Sequence, residues 1–266
     1  MDNDLLHLGI VDEDEIALDD AALTLALLDH PDLDPAPYDD LLDAIAERLD
    51  AVGEDAVTAT ARADALAAVF AGEFGFMGDR DTYDDPANAD LIQVLDRRRG
   101  LPISLAILYV AAARRLGWEA DVLDVPGHVL VLVGAAEDPV IVDPFTGGDR
   151  VGADRLAALI EAIGGAGRAV THLAAMPNRA ILVRLLLNQA SRAEKTGRGR
   201  RALDLYARMT TVASAIVQPW WERARLELVD NDVGAARASL GAILEITRDT
   251  GLRRRVTDLL ASLPPR

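Results

Sequence analysis

Apolar residues recur at helical spacing through most of this chain and switch to a short β-type pattern in one central stretch. Amphipathic helices are predicted near Glu15–Asp29, Pro37–Asp50 and Asp55–Ala71; in the second, Leu41, Leu42, Ile45 and Leu49 share one face. Pro31, Pro35 and Pro37 punctuate the first connection, and residues 1–14 read as a frayed acidic lead. Phe74 to Pro86 is a Gly- and Asp-rich loop, and Asn88–Arg98 a short helix. Leu101–Leu116 carries apolar residues around its whole circumference, with Pro102 tolerated in its first turn, so it is predicted to be a buried helix.

The period then changes. Glu119–Val125, Val129–Val133 and Val140–Val142 are short runs rich in Val, Leu and Ile and read as strands. Joined through Gly134 to Pro139, the last two form a predicted hairpin in which Val133 faces Val140 and Leu130 faces Asp143, with His128 diagonal to Asp143 on the same face. From about Asp154 the pattern is helical to the end. Gly199–Tyr206 and Val233–Leu240 each open a helix after a polar turn, 34 positions apart. That is the tetratricopeptide spacing, but two such units cannot stand alone as a solenoid.

Composition narrows the picture. At 266 residues the chain can bury a sizeable core, and its Leu- and Ala-rich, aromatic-poor make-up favours packed helices over a sandwich or barrel. Cysteine is absent, which excludes disulfides, thiolate metal sites and a thiol nucleophile. The net charge is −17, and residues 1–55 hold 18 acidic side chains against one basic, Arg48. Such a balance repels nucleic acid and anionic membranes; the acidic N-terminal region reads as a solvated helical face, with a basic partner as the alternative. No apolar run approaches the roughly 18 residues of a membrane span and no targeting segment is visible, so a cytoplasmic protein is expected. No metal site and no cofactor are expected: His7, His30 and His172 lack ligand spacing, and no glycine-rich phosphate loop follows a strand.

The candidate chemistry lies in Arg97-Arg-Arg-Gly-Leu-Pro-Ile-Ser104, Pro126-Gly-His128 and Val142-Asp-Pro-Phe145. Ser104, His128 and Asp143 offer a hydroxyl, an imidazole and a carboxylate, the set for nucleophilic acyl transfer. Ser104 opens the buried helix, where free N–H groups favour negative charge; the plainer reading is that it only caps or bonds back within that first turn. Likewise, His128 is a satisfied core histidine in the plainer reading, Asp143-Pro144 a strand-ending turn, and Arg97–Arg99 helix-end charge compensation paired to nearby aspartates rather than an anion-binding patch.

These residues resemble the transglutaminase-like superfamily, and more closely a bacterial Sir-B-type branch that joins a transglutaminase-like core to C-terminal tetratricopeptide-like helices. The resemblance rests on Asp32-Leu-Asp-Pro35 with Tyr38, Phe74-Gly-Phe-Met-Gly78, Tyr83 with Pro86 and Asn88, Val94 to Gly100, Pro102-Ile-Ser-Leu105 with Tyr109, Ala113 to Gly117, Pro126-Gly-His128 and Asp143 to Gly148. It implies an α+β, mostly helical fold: N-terminal helices, a papain- or transglutaminase-like core with a small antiparallel sheet on a buried helix, and C-terminal helical pairs. The implied domains are residues 1–70, an acidic helical region packed on the core; 71–165, the core; and 166–266, the tetratricopeptide-like region. The superfamily's acyl-transferring cysteine falls on Ser104, its histidine on His128 and its aspartate on Asp143. Tyr83, Asn88, Arg97, Arg99 and Tyr109, which lie in or beside these motifs, are candidate binding residues. Serine lacks the readily ionised thiol of cysteine. The favoured expectation is therefore a non-catalytic interaction or regulatory module with a protein or peptide partner on the C-terminal helices; the alternative is a serine-dependent acyl or amide hydrolase using Ser104, His128 and Asp143.

Overall fold

The computed structural model describes residues 2–125, 127–135, 137–161 and 174–264. The chain is mostly helical with one small antiparallel sheet, and it divides into two compact units: Glu13–Ile181, and Met1–Asp12 with Leu182–Arg266. The first twelve residues therefore group with the C-terminal helices and not with the core. The expected boundary at 165/166, like His172, lies outside the described residues.

The larger unit is built around its most apolar helix. Helices α2 (Leu18–Leu27), α3 (Ala36–Gly53) and α4 (Ala59–Ala67) come first, and α4 runs on into a π-helical turn, Ala68–Glu73. A 3-10 turn, Pro86–Ala89, leads into α5 (Leu91–Arg97), which Asp90 caps by accepting the Gln93 N–H at 3.2 Å. Helix α6 (Pro102–Arg115) has every residue from Pro102 to Ala113 buried. A helix with no polar stripe is stable only when covered on all sides, and each large side chain so buried contributes about 1.5–3 kcal/mol.

Strands β3 (Ala120–Val125), β4 (His128–Val133), β5 (Val140–Asp143) and β6 (Asp149–Arg150) form an antiparallel sheet in that order. Val133 pairs with Val140 and Val131 with Val142, the expected hairpin register. Helix α7 (Ala153–Glu161) packs Leu156 and Leu159 on a cluster of Leu123, Val125, Leu130 and Val151.

Several details depart from the pattern reading. The expected loop after Phe74 contains a two-residue strand, β1 (Met77–Gly78), pairing in parallel with β2 (Arg99–Gly100). The unbroken helix expected beyond Asp154 is interrupted: Ala175 bridges Leu123, and the Met176 N–H donates to the Val122 carbonyl at 2.9 Å. The acidic helices are not merely solvated. Arg115, at the end of α6, reaches Asp19 at 2.8 Å, Asp20 at 3.2 Å and Asp43 at 2.8 Å, so one guanidinium ties α2 and α3 to the central helix. Burial and the neighbouring carboxylate of Asp19 push the Asp20 carboxyl above its ordinary value despite that cation.

In the smaller unit, the expected frayed lead is a helix, α1 (Asp2–Ile10), with Leu8 buried. A Cβ on Gly9 would collide with the Thr211 carbonyl, so α1 packs too closely for any other side chain there. Helix α8 (Asn178–Lys195) spans both units. It is followed by α9 (Gly199–Val212), α10 (Val217–Val229), α11 (Val233–Ile246) and α12 (Thr250–Ser262). Helices α9 and α11 begin at the two positions singled out by the 34-residue spacing. Ala224, Leu240, Ile243 and Val256 form the core shared by α10, α11 and α12.

Candidate functional site

Ser104 sits at the third position of α6, wholly buried at 0% exposure. Its Oγ–H donates to the backbone carbonyl of Asn88 at 2.8 Å, and the same carbonyl accepts the Leu101 N–H at 3.0 Å. The plainer expectation, a bond back within the helix's own first turn, is thus wrong in its partner: the hydroxyl holds a residue sixteen positions earlier. Among the described residues Ser104 makes no hydrogen bond to His128.

Asn88 is also fully buried. Its amide donates to the Thr82 carbonyl at 2.7 Å and the Tyr83 carbonyl at 3.4 Å, and its side-chain oxygen accepts from Arg97. Arg97 continues to Asp79 at 3.5 Å and Asp85 at 3.8 Å. Asp79 caps the following turn, accepting from the Thr82 hydroxyl at 2.6 Å and the Thr82 N–H at 2.8 Å; these bonds, led by that hydroxyl, hold its carboxyl below the ordinary range. The aspartate pairing expected for the arginine run is therefore present at Arg97. Arg98 takes a left-handed backbone (φ 55°) at the end of α5 and lies over the Phe76 ring, while Arg99 donates to the Gly75 carbonyl at 2.8 Å.

His128 and Asp143 do meet. The β3–β4 connection is tight, with Val125 paired to His128 and Gly127 at φ 82°; Pro126 lies outside the described residues. Asp143 ends β5 and caps the 3-10 turn Pro144–Thr146, after which Gly147 (φ 83°) and Gly148 (φ 89°) return the chain as β6. His128 Nε2 donates to Asp143 Oδ2 at 2.8 Å, which leaves Nδ1 as the free ring nitrogen. The same oxygen accepts from Arg155 Nη2 at 2.6 Å, and Oδ1 accepts the Phe145 N–H at 3.1 Å. Asp143 is 0% exposed, His128 18% and Arg155 45% by side chain. Burial alone would raise the Asp143 carboxyl, but the His128 hydrogen bond, the His128 and Arg155 charges and the Phe145 N–H outweigh it and hold the group below its ordinary value. Arg155 arrives on α7; nothing in its run, Gly152-Ala-Asp-Arg155, marks it in the sequence as a partner of Asp143.

The other candidate binding residues fall in two groups. Tyr83 is 42% exposed and packs edge-on to Phe145, which in turn lies edge-on to His128 with centroids 6.3 Å apart. Tyr109 is buried, stacked on Phe70 with centroids 4.5 Å apart, and its hydroxyl has no hydrogen-bond partner among the described residues. Burial, with the charges of Asp143 and Asp149 nearby, drives its pKa well above the ordinary phenol value. Asn88 and Tyr109 thus lie beneath the surface, whereas Tyr83 and Arg99 reach it. Among the described residues no three metal-ligating side chains converge, and no helix is long and apolar enough to cross a membrane.

Comparison with known proteins adds a family. Residues 36–187 match the family model described as the transglutaminase-like superfamily. A UPF0162 protein of Xylella fastidiosa (strain 9a5c) is 33% identical over 97% of this chain and 88% of its own length. A mouse protein, F-box only protein 21, is 38% identical over 26% of this chain and 11% of its own length. Among solved structures, menin, which has a binding site for the Mixed Lineage Leukemia protein, aligns over 92% of this chain and 70% of its own at 14% identity, with a TM-score of 0.37.

Proposed function

Because this chain belongs to the transglutaminase-like superfamily, we propose that it is a non-catalytic member of it, an interaction or regulatory module whose nucleophile position has become a structural tie. One observation carries the reading. The Ser104 hydroxyl is fully buried and spends its proton on the Asn88 carbonyl. A cysteine thiol, with a pKa of about 8.5, ionises beside a histidine, whereas a serine hydroxyl needs a general base in direct contact. Here the hydroxyl proton goes to an amide carbonyl, which is no general base. In this reading the protein works by binding a protein or peptide partner through the helical pairs of residues 199–262, which resemble tetratricopeptide pairs, as in the Sir-B-type branch, and it acts in the cytoplasm.

A fluorophosphonate probe tests the first half. Intact protein is expected to stay unlabelled at Ser104, and a covalent Ser104 adduct overturns the reading. Crosslinking of the full chain tests the second half: partner crosslinks should map to residues 199–262, and their confinement to residues 71–161 would reject it. The hydrolase reading draws its support from the His128–Asp143 hydrogen bond of 2.8 Å, an imidazole oriented as a general base requires. It requires the turn holding Asn88 to move so that Ser104 turns toward Nδ1. Turnover of an acyl substrate that vanishes in Ser104→Ala would establish it.

A further inference from the structure

The smaller unit contains a groove of about 540 Å³ lined by α9, α10 and the start of α11. That volume suits a short peptide segment. Six of its lining residues are charged: Arg200, Asp204, Arg223, Glu227, Asp230 and Asp232. Most of this charge is already spent. Glu227 is 4% exposed, and its oxygens accept from Arg223 at 2.8 Å and Ser239 at 2.7 Å. Arg223 also donates to the Thr210 hydroxyl at 3.0 Å. Asp204 is held by Arg201 and Arg208, both at 2.9 Å. Asp232 commits one oxygen to the Ala235 N–H at 2.9 Å as the cap of α11.

What remains is uneven. The side chains of Arg200 and Asp230 are exposed and make no hydrogen bond or ion pair with the described residues, and Asp232 keeps one oxygen open. One free cation therefore stands on α9, with two carboxylates at the α10–α11 turn. Between them Leu203, Ala207 and Ala235 leave an apolar, half-buried floor. We infer that this groove binds a lysine- or arginine-bearing peptide segment, its cationic side chain against Asp230 and Asp232 and an acceptor of the segment toward Arg200. The inference rests on the interaction reading above and names the chemistry of the partner. The prior neutralisation of Glu227 and Asp204 matters: the specific contacts fall to a few unpaired groups on a pre-organised wall, so binding does not have to break ion pairs already made.

The test uses the full chain and a fluorescein-labelled peptide of alternating lysine and alanine, followed by anisotropy, with its glutamate–alanine counterpart as comparison. Asp230→Asn should weaken the basic peptide about three- to fivefold, the size an exposed ion pair supplies. Arg200→Gln, which takes the charged donor from the segment's acceptor, should also weaken it, and tighter binding in that variant removes Arg200 from the contact. The Asp230 side chain has no partner among the described residues, and its backbone N–H bond to the Leu226 carbonyl is untouched, so Asp230→Asn should fold as the parent does. Asp55→Asn, an exposed carboxylate of the other unit, controls for diffuse attraction to a chain of net charge −17. Equal weakening by Asp55→Asn and Asp230→Asn, or tighter binding of the glutamate peptide, overturns the groove assignment. Partner crosslinks mapping to residues 199–262, together with peptide binding indifferent to Asp230, would leave the interaction reading standing and remove only this groove.

Discussion

Replacing Ser104 by alanine separates a structural hydroxyl from a chemical one. The substitution removes the 2.8 Å bond to Asn88, but that carbonyl keeps the Leu101 N–H at 3.0 Å. No buried acceptor is orphaned, so the cost is that of one neutral hydrogen bond, about 0.5–1.5 kcal/mol, without the larger penalty of an unpaired group. In a unit of this size that lowers the melting temperature by about 2–4 °C per kcal/mol. Ser104→Cys should cost more. Sulfur is larger and a weaker donor, and the site is closed on every side, so overpacking of about 1–3 kcal/mol is expected with no gain of acyl transfer. Thermal unfolding by circular dichroism, paired with iodoacetamide labelling of the cysteine variant in native buffer, reads both effects. Melting unchanged within about 1 °C in Ser104→Ala, with rapid alkylation and acyl transfer in Ser104→Cys, would refute the structural assignment.

Three further outcomes follow from the same neighbourhood. Tyr109→Phe deletes a buried hydroxyl that lacks a partner among the described residues, so chemical denaturation should show it neutral or stabilising by about 1 kcal/mol; a loss of that size would mean the hydroxyl is engaged in solution. Gly148→Ala imposes a side chain on φ 89° and sets its Cβ 2.7 Å from Ala67 Cβ, so denaturant titration should report at least about 1–3 kcal/mol of destabilisation, and a neutral result would contradict the turn geometry. Asp143 has a depressed folded-state pKa, so its stabilising contribution is complete above the ordinary carboxylate pKa of about 3.9 and is lost as pH falls through the lower native value. Arg155→Gln removes one of the interactions holding that carboxyl down, and the acid unfolding midpoint should move to higher pH; an unmoved midpoint would show that Arg155 contributes nothing there.

The sequence was legible where the pattern was long or the chemistry specific. Helix α6 announced itself by an apolar circumference, and the His128–Asp143 meeting followed from counting a hairpin register. The two-residue strands β1, β2 and β6 left no signal, because two positions cannot display a period. Helix α1 was hidden by its acidity: one buried leucine and a glycine close to backbone fix it, and neither makes a hydrophobic run. Arg155 and Arg115 were invisible for another reason. Each partners carboxylates distant in the chain or across a turn, and an arginine near a helix end looks the same whether it meets solvent, a dipole or a buried aspartate. Of the candidate binding residues, Tyr83 and Arg99 reached the surface, while Asn88 and Tyr109 became parts of the interior; a motif records that a residue matters without saying which way it points.

The shared Asn88 carbonyl turns the protein into its own gauge of access. Leu101 N–H and Ser104 Oγ–H end on the same oxygen, so any opening that frees the hydroxyl by carrying Asn88 away also bares the Leu101 amide. The deuterium-exchange rate of that one amide therefore measures how often the turn lifts. If its opening free energy equals that of global unfolding, Ser104 meets solvent only in the unfolded chain. An amide that exchanges far faster than the neighbouring α6 core would instead mark a window in the native state through which a substrate or reagent reaches the hydroxyl.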